Sequence, residues 1–177
     1  MSSKIDVRQI FSDHIFTLRH ASGHKLNLLD LFVFFIVPFI LGCFSFYFEF
    51  SFSDSAYTIL ITAFSVFVGL LINVLVLIYS IFQNFSPVSQ SDDEAVREKK
   101  KWERILLKEI FSNVSYANLI AILAILIIST TQFVSLSFPV VFSSVIVFIS
   151  ANFILTLLMI IKRIHNLIRN KLDQHQE

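Results

Sequence analysis

The chain has little charge, and the charge it has is unevenly placed. Asp, Glu, Lys and Arg make up 15% of the 177 residues, against about 25% in a typical soluble domain. None of them occurs in residues 31–48, 55–91 or 110–161. Because a bilayer span needs about 20 mostly apolar residues, these stretches have room for one, one and two spans. With a mean hydropathy of +0.75, the sequence predicts an integral membrane protein.

The residues that build most catalytic and metal centres are also scarce. Cys43 is the only cysteine and falls inside a predicted span, so no disulfide can form within one chain. None of the five histidines stands at metal-ligand spacing from a cysteine or carboxylate. No phosphate-binding loop or nucleophile elbow is present. We therefore expect no enzyme, no catalytic residue, no cofactor and no metal.

Glycine is rare as well. Gly23, Gly42 and Gly69 are the only glycines, and they form no small-xxx-small seam of the kind that lets membrane helices approach closely. We expect close backbone approach to be limited. Packing should rely on Phe, Leu, Ile and Val, with Ser and Ala at scattered positions.

The alternation of apolar and polar segments predicts an all-α fold, an integral membrane four-helix bundle with cytoplasmic helical extensions. The five segments are an N-terminal segment at 1–26, a first transmembrane hairpin at 27–82, a basic helix at 83–113, a second transmembrane hairpin at 114–161 and a C-terminal helix at 162–177. The first segment is either a short amphipathic helix on the membrane surface or a loosely ordered tail. We expect the basic helix to continue into the third span.

Every Lys and Arg lies on one side of the predicted membrane. They precede the first span, separate the second from the third, or follow the fourth: Lys4, Arg8, Arg19, Lys25, Arg97, Lys99, Lys100, Lys101, Arg104, Lys108, Lys162, Arg163, Arg169 and Lys171. The two opposite turns contain neither residue. By the positive-inside rule, both termini and the basic helix of this multi-pass chain are cytoplasmic.

The basic helix contains the candidate partner- or lipid-binding residues. They are Arg97, Lys99, Lys100, Lys101, Trp102, Arg104 and Lys108. The cluster can simply enforce topology, attract anionic lipid at about 1 kcal/mol per basic residue, or dock an acidic cytoplasmic protein with Trp102 as an aromatic anchor. We do not expect direct nucleic-acid binding, because interspersed Asp and Glu residues dilute the positive field.

Two amides lie near the middle of predicted spans, Asn73 in the second and Asn152 in the fourth. In hydrocarbon an amide seeks a hydrogen-bond partner on a neighbouring helix. Both residues can therefore hold helices together, within or between subunits. Alternatively, they can face the axis of an oligomer and line a narrow pore.

The layout of two apolar hairpins around a charged helix resembles a known bacterial family. The segments LLINVLVLIYSIF (Leu70 to Phe82) and LLKEIFSNVSYANLIAILAIL (Leu106 to Leu126) carry the likeness. They resemble small four-span proteins of anti-phage defence systems, among them the membrane subunit of the Kiwa system. The resemblance implies a non-enzymatic sensor in the bacterial inner membrane. It further implies a homo-oligomer, with a tetramer as one form, and a DNA-binding cytoplasmic partner subunit.

The leading hypothesis is a non-enzymatic inner-membrane sensor or scaffold of anti-phage defence, which oligomerises and recruits a cytoplasmic protein through its basic face. An oligomeric pore or membrane-depolarising effector is the first alternative. A small-solute transporter is the second, weakened because the spans carry no Asp, Glu, Lys or Arg away from their ends, groups that most ion-coupled transporters need.

Overall fold

The protein is described here by a computed structural model, which covers residues 7–18, 32–84, 93–133 and 138–173. These residues form helices and no strand, so the predicted all-α fold is confirmed for this part of the chain. The helices are α1 (Arg8–Thr17), α2 (Phe32–Tyr47), α3 (Asp54–Gln83), α4 (Glu94–Phe133) and α5 (Pro139–Asp173). The predicted boundary at residues 26 and 27 lies outside the described residues.

Three of the helices, α3, α4 and α5, are long and apolar enough to cross a membrane, and α2 is a shorter apolar helix. The basic segment and the third predicted span form one unbroken helix, α4, as expected. The fourth span likewise continues without a break into the C-terminal helix as α5. Both helices therefore join a membrane-spanning part rigidly to a polar part.

The helices are arranged as an open row. Helix α4 packs between α3 and α5, α2 packs on the far side of α5, and α1 lies on α4. Within the described ranges α2 and α3 do not pack on each other. The row bends at α4, since the rings of Phe64 and Phe67 on α3 reach Phe153 on α5 at centroid distances of 5.2 and 5.3 Å. The outer faces of α2 and α3 consequently remain open.

Helix α4 is the centre of the core. One side of it is almost completely buried at alternating spacings of three and four residues: Leu107, Ile110, Val114, Ala117, Ala121, Ala124 and Ile128. This heptad pattern is that of a helix packed along its length on neighbours. The expectation that alanines would be scattered is wrong here, because three of them align on the core face. Their small side chains let the adjacent helices approach α4 closely.

The neighbours of α4 each contribute one buried line. On α3 the buried residues recur every seven positions: Tyr57, Phe64, Leu71 and Ile78. On α5 the same spacing gives Ile146, Phe153, Ile160 and Leu167. A single line of contact buries little of α3. In the most apolar 18-residue stretch of each helix, 11% is buried in α3 and 50% in α4.

Gly42 brings α2 close to α5. A Cβ atom at this position would lie 3.2 Å from the carbonyl oxygen of Ser144 and 3.3 Å from Cβ of Phe148. Such distances are too short for an unchanged neighbour, so the approach of the two helices depends on the missing side chain. The sequence predicted limited close approach; of the two described glycines, Gly42 supports one such contact and Gly69 supports none with the other described residues.

Along the direction of the helix axes, the two ends of the helix bundle differ in composition. We call the end that contains α1, residues 93–113 and residues 162–169 the basic end, and the opposite end the turn end. At the turn end, Ser143 Oγ lies 2.9 Å from the Tyr57 hydroxyl and accepts a hydrogen bond from the backbone N–H of Phe52 at 3.2 Å. These bonds fix the turn between α2 and α3 on α5.

Candidate functional site

Helix α1 is docked on α4 at the basic end. Ile10 and Phe11 pack against the core, and Leu18 is buried. The ring of Phe11 meets that of Tyr116 edge-on, with centroids 5.3 Å apart. Of the two alternatives for the N-terminal segment, residues 8–17 thus form a helix, and its buried side contacts protein. Phe16, on the other side, is 51% exposed.

His14 is the most completely buried polar residue of α1. Its ring stacks on Tyr116 at a centroid distance of 3.8 Å and an angle of 4°. Its Nδ1 lies 2.8 Å from Oδ1 of Asn113, and because an amide oxygen only accepts, Nδ1 carries the proton. Burial lowers the pKa of His14 from 6.5 to about 4, although the Asn113 hydrogen bond raises it and the charge of Arg163 lowers it further. The imidazole is therefore neutral at neutral pH.

Thr17 and Arg163 close the other end of α1. The Thr17 hydroxyl lies 2.8 Å from Oδ1 of Asn113 and 2.7 Å from the carbonyl oxygen of His14. Arg163 on α5 donates from Nη2 to the carbonyl oxygen of Thr17 at 2.6 Å and pairs through Nη1 with Glu109 on α4. A cation at the last carbonyls of a helix satisfies an orphan acceptor and complements the helix dipole. One guanidinium thus joins α1, α4 and α5.

Asn152 supplies a hydrogen-bond donor to α2 near a position where a proline lacks the backbone N–H. In an α-helix, the N–H of residue 38 would donate to the carbonyl oxygen of Phe34, but Pro38 has no N–H. Helix α2 begins here with a π-helical turn, Phe32–Ile36. The Asn152 amide donates to that oxygen at 2.9 Å, and its Oδ1 accepts from the Tyr116 hydroxyl at 3.0 Å. The amide therefore links α2, α4 and α5 inside one chain.

Together these residues form one buried polar cluster between four helices. We call it the polar cluster: His14, Thr17, Glu109, Asn113, Tyr116, Asn152 and Arg163. It is not fully satisfied, because Nε2 of His14 and Nδ2 of Asn113 are buried without a hydrogen-bond partner. Each such group costs about 1–3 kcal/mol. The cluster thus positions α1 but lowers the free energy needed to undock it.

The structure brings four of the predicted binding residues together and separates the others. Arg97, Lys101, Arg104 and Lys108 are exposed and lie within about 60° of one another on α4, at 100° per residue. We call these four residues the basic stripe. Lys99 lies on the opposite side of the helix, and Lys100 lies about 40° beyond Arg104 at the edge of the stripe. Trp102 is 53% exposed and lies about 100° around the helix from Lys101.

The apolar residues in this part of α4 are divided between two sides of the helix. Leu106 and Ile110 are buried in the core, whereas Trp102 and Ile105 are exposed. The exposed pair is about one helical turn apart; Ile105 lies about 40° and Trp102 about 100° around the helix from Lys101, the nearest residue of the basic stripe. The basic end therefore presents an aromatic and an aliphatic side chain next to positive charge.

The two spanning asparagines have different environments. Asn152 is 3% exposed and doubly hydrogen-bonded. Asn73 lies on the exposed side of α3. Both are ten residues from a polar residue at the basic end, Lys162 or Gln83, a distance of about 15 Å along a helix.

Sequence reasoning did not single out the polar cluster apart from Asn152. Two signals were present. His14, Thr17 and Leu18 share one side of a short helix, and Asn113 and Tyr116 occupy i, i+3 positions where α4 turns apolar. Neither spacing indicates which helices meet, because the partners of His14 are about 100 residues away along the chain.

The described residues hold no group of three His, Cys, Asp or Glu side chains that could bind a metal ion. The polar cluster contains one ion pair and otherwise neutral hydrogen-bonding groups. Comparison of the chain with protein-family models, with curated proteins and with solved structures finds no match. The function is therefore argued from the geometry of the chain itself.

Proposed function

We propose that the chain is a non-enzymatic sensor or scaffold of a bacterial inner membrane, acting in anti-phage defence, which oligomerises and recruits a cytoplasmic protein through its basic end. The observation that carries the proposal is the continuity of α4, which runs unbroken from Glu94 to Phe133. A rigid helix transmits a tilt or rotation in the membrane directly to residues outside it. The basic stripe and Trp102 lie on that same helix.

The positive-inside rule supports a cytoplasmic basic end, since every Lys and Arg whose side chain the structure describes lies there. The turn end contributes only short connections, such as residues 48–53 between α2 and α3. A stimulus then acts through the bilayer or these connections. The polar cluster couples α1, α2 and α5 to α4, so that a shift of any of these helices changes the presentation of the basic stripe.

The partner is expected to be a protein with an acidic patch and an apolar pocket. Trp102 and Ile105 supply apolar area, and aromatic residues at the centre of an interface often dominate its binding energy. The basic stripe would steer an acidic partner and fix its register. Binding of this kind weakens as salt rises.

A co-purification experiment tests the proposal. The full chain is isolated in mild detergent from its host as wild type and as the triple variant Trp102→Ala, Lys101→Ala, Lys108→Ala. We expect a cytoplasmic protein to be retained by the wild type and lost from the triple variant. The conservative set Trp102→Phe, Lys101→Arg, Lys108→Arg should retain it, and so should Lys99→Ala, which lies off the stripe. Equal retention by all variants would contradict the proposed surface.

Lipid binding is separated from protein binding by the same variants. Wild type and triple variant are incubated with vesicles of neutral phosphatidylcholine and with vesicles containing anionic phosphatidylglycerol. If the basic stripe serves lipid, the triple variant alters the preference for anionic vesicles and leaves the co-purified protein unchanged. That result would replace recruitment by membrane attachment.

The position of Asn73 favours one second candidate, an oligomeric pore or depolarising effector. An exposed amide in an apolar helix, with Thr62 and Ser65 on the same side, could line the axis of an oligomer. Liposomes containing only this chain would then leak a small dye or dissipate a potential, and Asn73→Leu would reduce the leak. Tight liposomes would remove this candidate and leave recruitment as the function.

A further inference from the structure

Helix α3 packs mainly on α4, meets α5 through a few side chains (Tyr57, Phe64 and Phe67), and has a large uncovered surface. It packs on α4 through the line of Tyr57, Phe64, Leu71 and Ile78 and has no comparable contact with another helix in the described parts of the chain. Exposed apolar side chains need no explanation in a membrane, since lipid tails cover them equally well. Polar and small residues on such a surface do need one.

The uncovered surface of α3 consists of two flanks with different residues. One flank contains mainly small and polar side chains, with Val76 as a larger apolar residue among them: Thr58, Thr62, Ser65, Gly69, Asn73 and Ser80. They lie within about 80° of one another at 100° per residue. The other flank is large and apolar, with Ile59, Val66, Leu70 and Leu77 each more than half exposed. We call the first the Asn73 flank.

Asn73 is the group that requires a partner. Its amide makes no hydrogen bond with any other described residue, and it lies about 15 Å from the end of α3 at Gln83. Unlike Lys or Arg, the side chain is too short to reach the interface. An amide without hydrogen bonds is costly in hydrocarbon. Its donor and acceptor must therefore be supplied from outside the described residues.

The rest of the flank permits a close helix contact. A Cβ atom at Gly69 would meet nothing within 4 Å, so the space in front of it is open. The hydroxyls of Thr58, Thr62 and Ser65 are bonded to carbonyl oxygens of their own helix at 2.8–3.0 Å. They present small side chains without unsatisfied protons. Such residues let the backbone of a second helix approach.

We propose that the Asn73 flank is the surface through which two copies of the chain associate, α3 against α3, with each Asn73 amide bonded to the other. The inference rests on the oligomerisation included in the proposed function and assigns it a surface. A second copy is the occupant that fits, because an amide has both donor and acceptor and so complements itself. Copies inserted in the same orientation are related by a two-fold axis along the membrane normal, which places each residue opposite its equivalent.

Cysteine cross-linking in membranes tests the contact in the full chain. In a Cys43→Ser background, which removes the exposed native cysteine, Thr62→Cys lies on the Asn73 flank. Ala63→Cys is the matched control, at the same depth and also exposed, but about 100° away. Mild oxidation should give a disulfide-linked dimer with Thr62→Cys and little with Ala63→Cys. Equal yields, or a higher yield from the control, would overturn the proposal.

Two substitutions test the energetics without disturbing the chain itself. Gly69→Leu fills open space in the monomer but would separate two packed copies, so the dimer should be lost. Asn73→Leu removes the amide pair and should weaken association about threefold to twentyfold, the range given by interhelical hydrogen bonds in membranes. Leu70→Ala, on the neighbouring apolar flank and about 100° from Gly69, should leave association unchanged. Native mass spectrometry and the concentration dependence of the dimer in detergent provide the measurements.

The result separates this contact from the wider proposal. If all variants remain oligomeric and still retain the cytoplasmic protein, the surface assigned here is wrong while the proposed function stands. If the wild type is monomeric yet retains that protein, the association through α3 is refuted and recruitment by single chains remains. If Asn73→Leu instead releases a different membrane protein, the occupant is that protein and not a second copy.

Discussion

Two asparagines at a similar depth illustrate how the surroundings decide the role of a residue. Asn152 donates to the Phe34 carbonyl and accepts from Tyr116, whereas Asn73 is exposed. The side chains are identical, and both stand among apolar neighbours in sequence. The difference arises because α5 lies between α2 and α4 while α3 lies at the end of the row. The same amide therefore stabilises the chain at one position and calls for an external partner at the other.

Replacement of Asn152 by leucine should destabilise the folded chain. It leaves the Phe34 carbonyl and the Tyr116 hydroxyl without partners, and interhelical hydrogen bonds in membranes contribute about 0.6 to 2 kcal/mol each. We expect a loss of about 1–3 kcal/mol in the free energy of unfolding, measured by thermal or denaturant unfolding in detergent. Ser150→Ala on the same helix is the control, because its hydroxyl is buried without a partner and should cost nothing to remove. Equal stability of both variants would contradict the role of Asn152.

The docking of α1 should weaken in acid because of His14. Its pKa is about 4 when docked and 6.5 when free, so the undocked form binds more protons below pH 6.5. The free energy of docking is constant above that pH and falls as pH decreases, by about 2 kcal/mol at pH 5. Amide hydrogen exchange of residues 8–17 at pH 7.5 and 5, corrected for the intrinsic rate, measures it. His14→Phe keeps a ring for Tyr116 and should abolish the pH dependence; if the dependence persists, His14 is not its source.

At the scale of elements, the Phe34 carbonyl of α2 can receive a hydrogen bond either from the backbone of α2 or from a side chain of α5. Pro38 removes the N–H that would satisfy the Phe34 carbonyl, and Asn152 supplies a donor from α5 instead. Pro38→Ala restores the backbone donor. We expect the cost of Asn152→Leu to be smaller by about 1 kcal/mol in the Pro38→Ala background, in a double-mutant cycle of unfolding free energies. Additive effects would show that the two residues act independently.

The core face of α4 should tolerate no larger side chain. Ala121 is 0% exposed, and α3 and α5 pack on either side of the helix. Ala121→Leu should destabilise the chain by about 1–3 kcal/mol through overpacking. The matched control is Leu123→Ile, at a partly exposed position of the same helix, with an expected change below about 0.5 kcal/mol. Comparable effects at both positions would contradict the assigned core face.

At the scale of the whole molecule, α2 and α3 are the outermost helices of the open row, and the described basic residues lie together at the basic end. The orientation of that end in the membrane decides whether the basic stripe can meet a cytoplasmic protein. Single cysteines in a Cys43→Ser background report it: Ser51→Cys at the turn end and Asn84→Cys at the basic end, both exposed. In intact spheroplasts, an impermeant maleimide should label Ser51→Cys at once and Asn84→Cys only after permeabilisation. The reverse pattern would exclude the proposed cytoplasmic recruitment.

The amino-acid sequence alone determined the helical class, the apolar segments and the gathering of all Lys and Arg residues between or beside them. These features follow from composition along the chain, because a helix in lipid must be apolar and must satisfy its own backbone groups. The continuity of α4 was also predictable, since no Pro or Gly interrupts residues 94–133.

Only the tertiary structure decided how each helix is rotated and what it meets. The burial of His14 on Tyr116, the alignment of Ala117, Ala121 and Ala124, and the contact at Gly42 all join residues far apart in the chain. In hydrocarbon, apolarity does not distinguish the side of a helix that faces protein from the side that faces lipid. The partners of Asn152, and the lack of one for Asn73 within the described residues, therefore came from the packing and not from the pattern of residues.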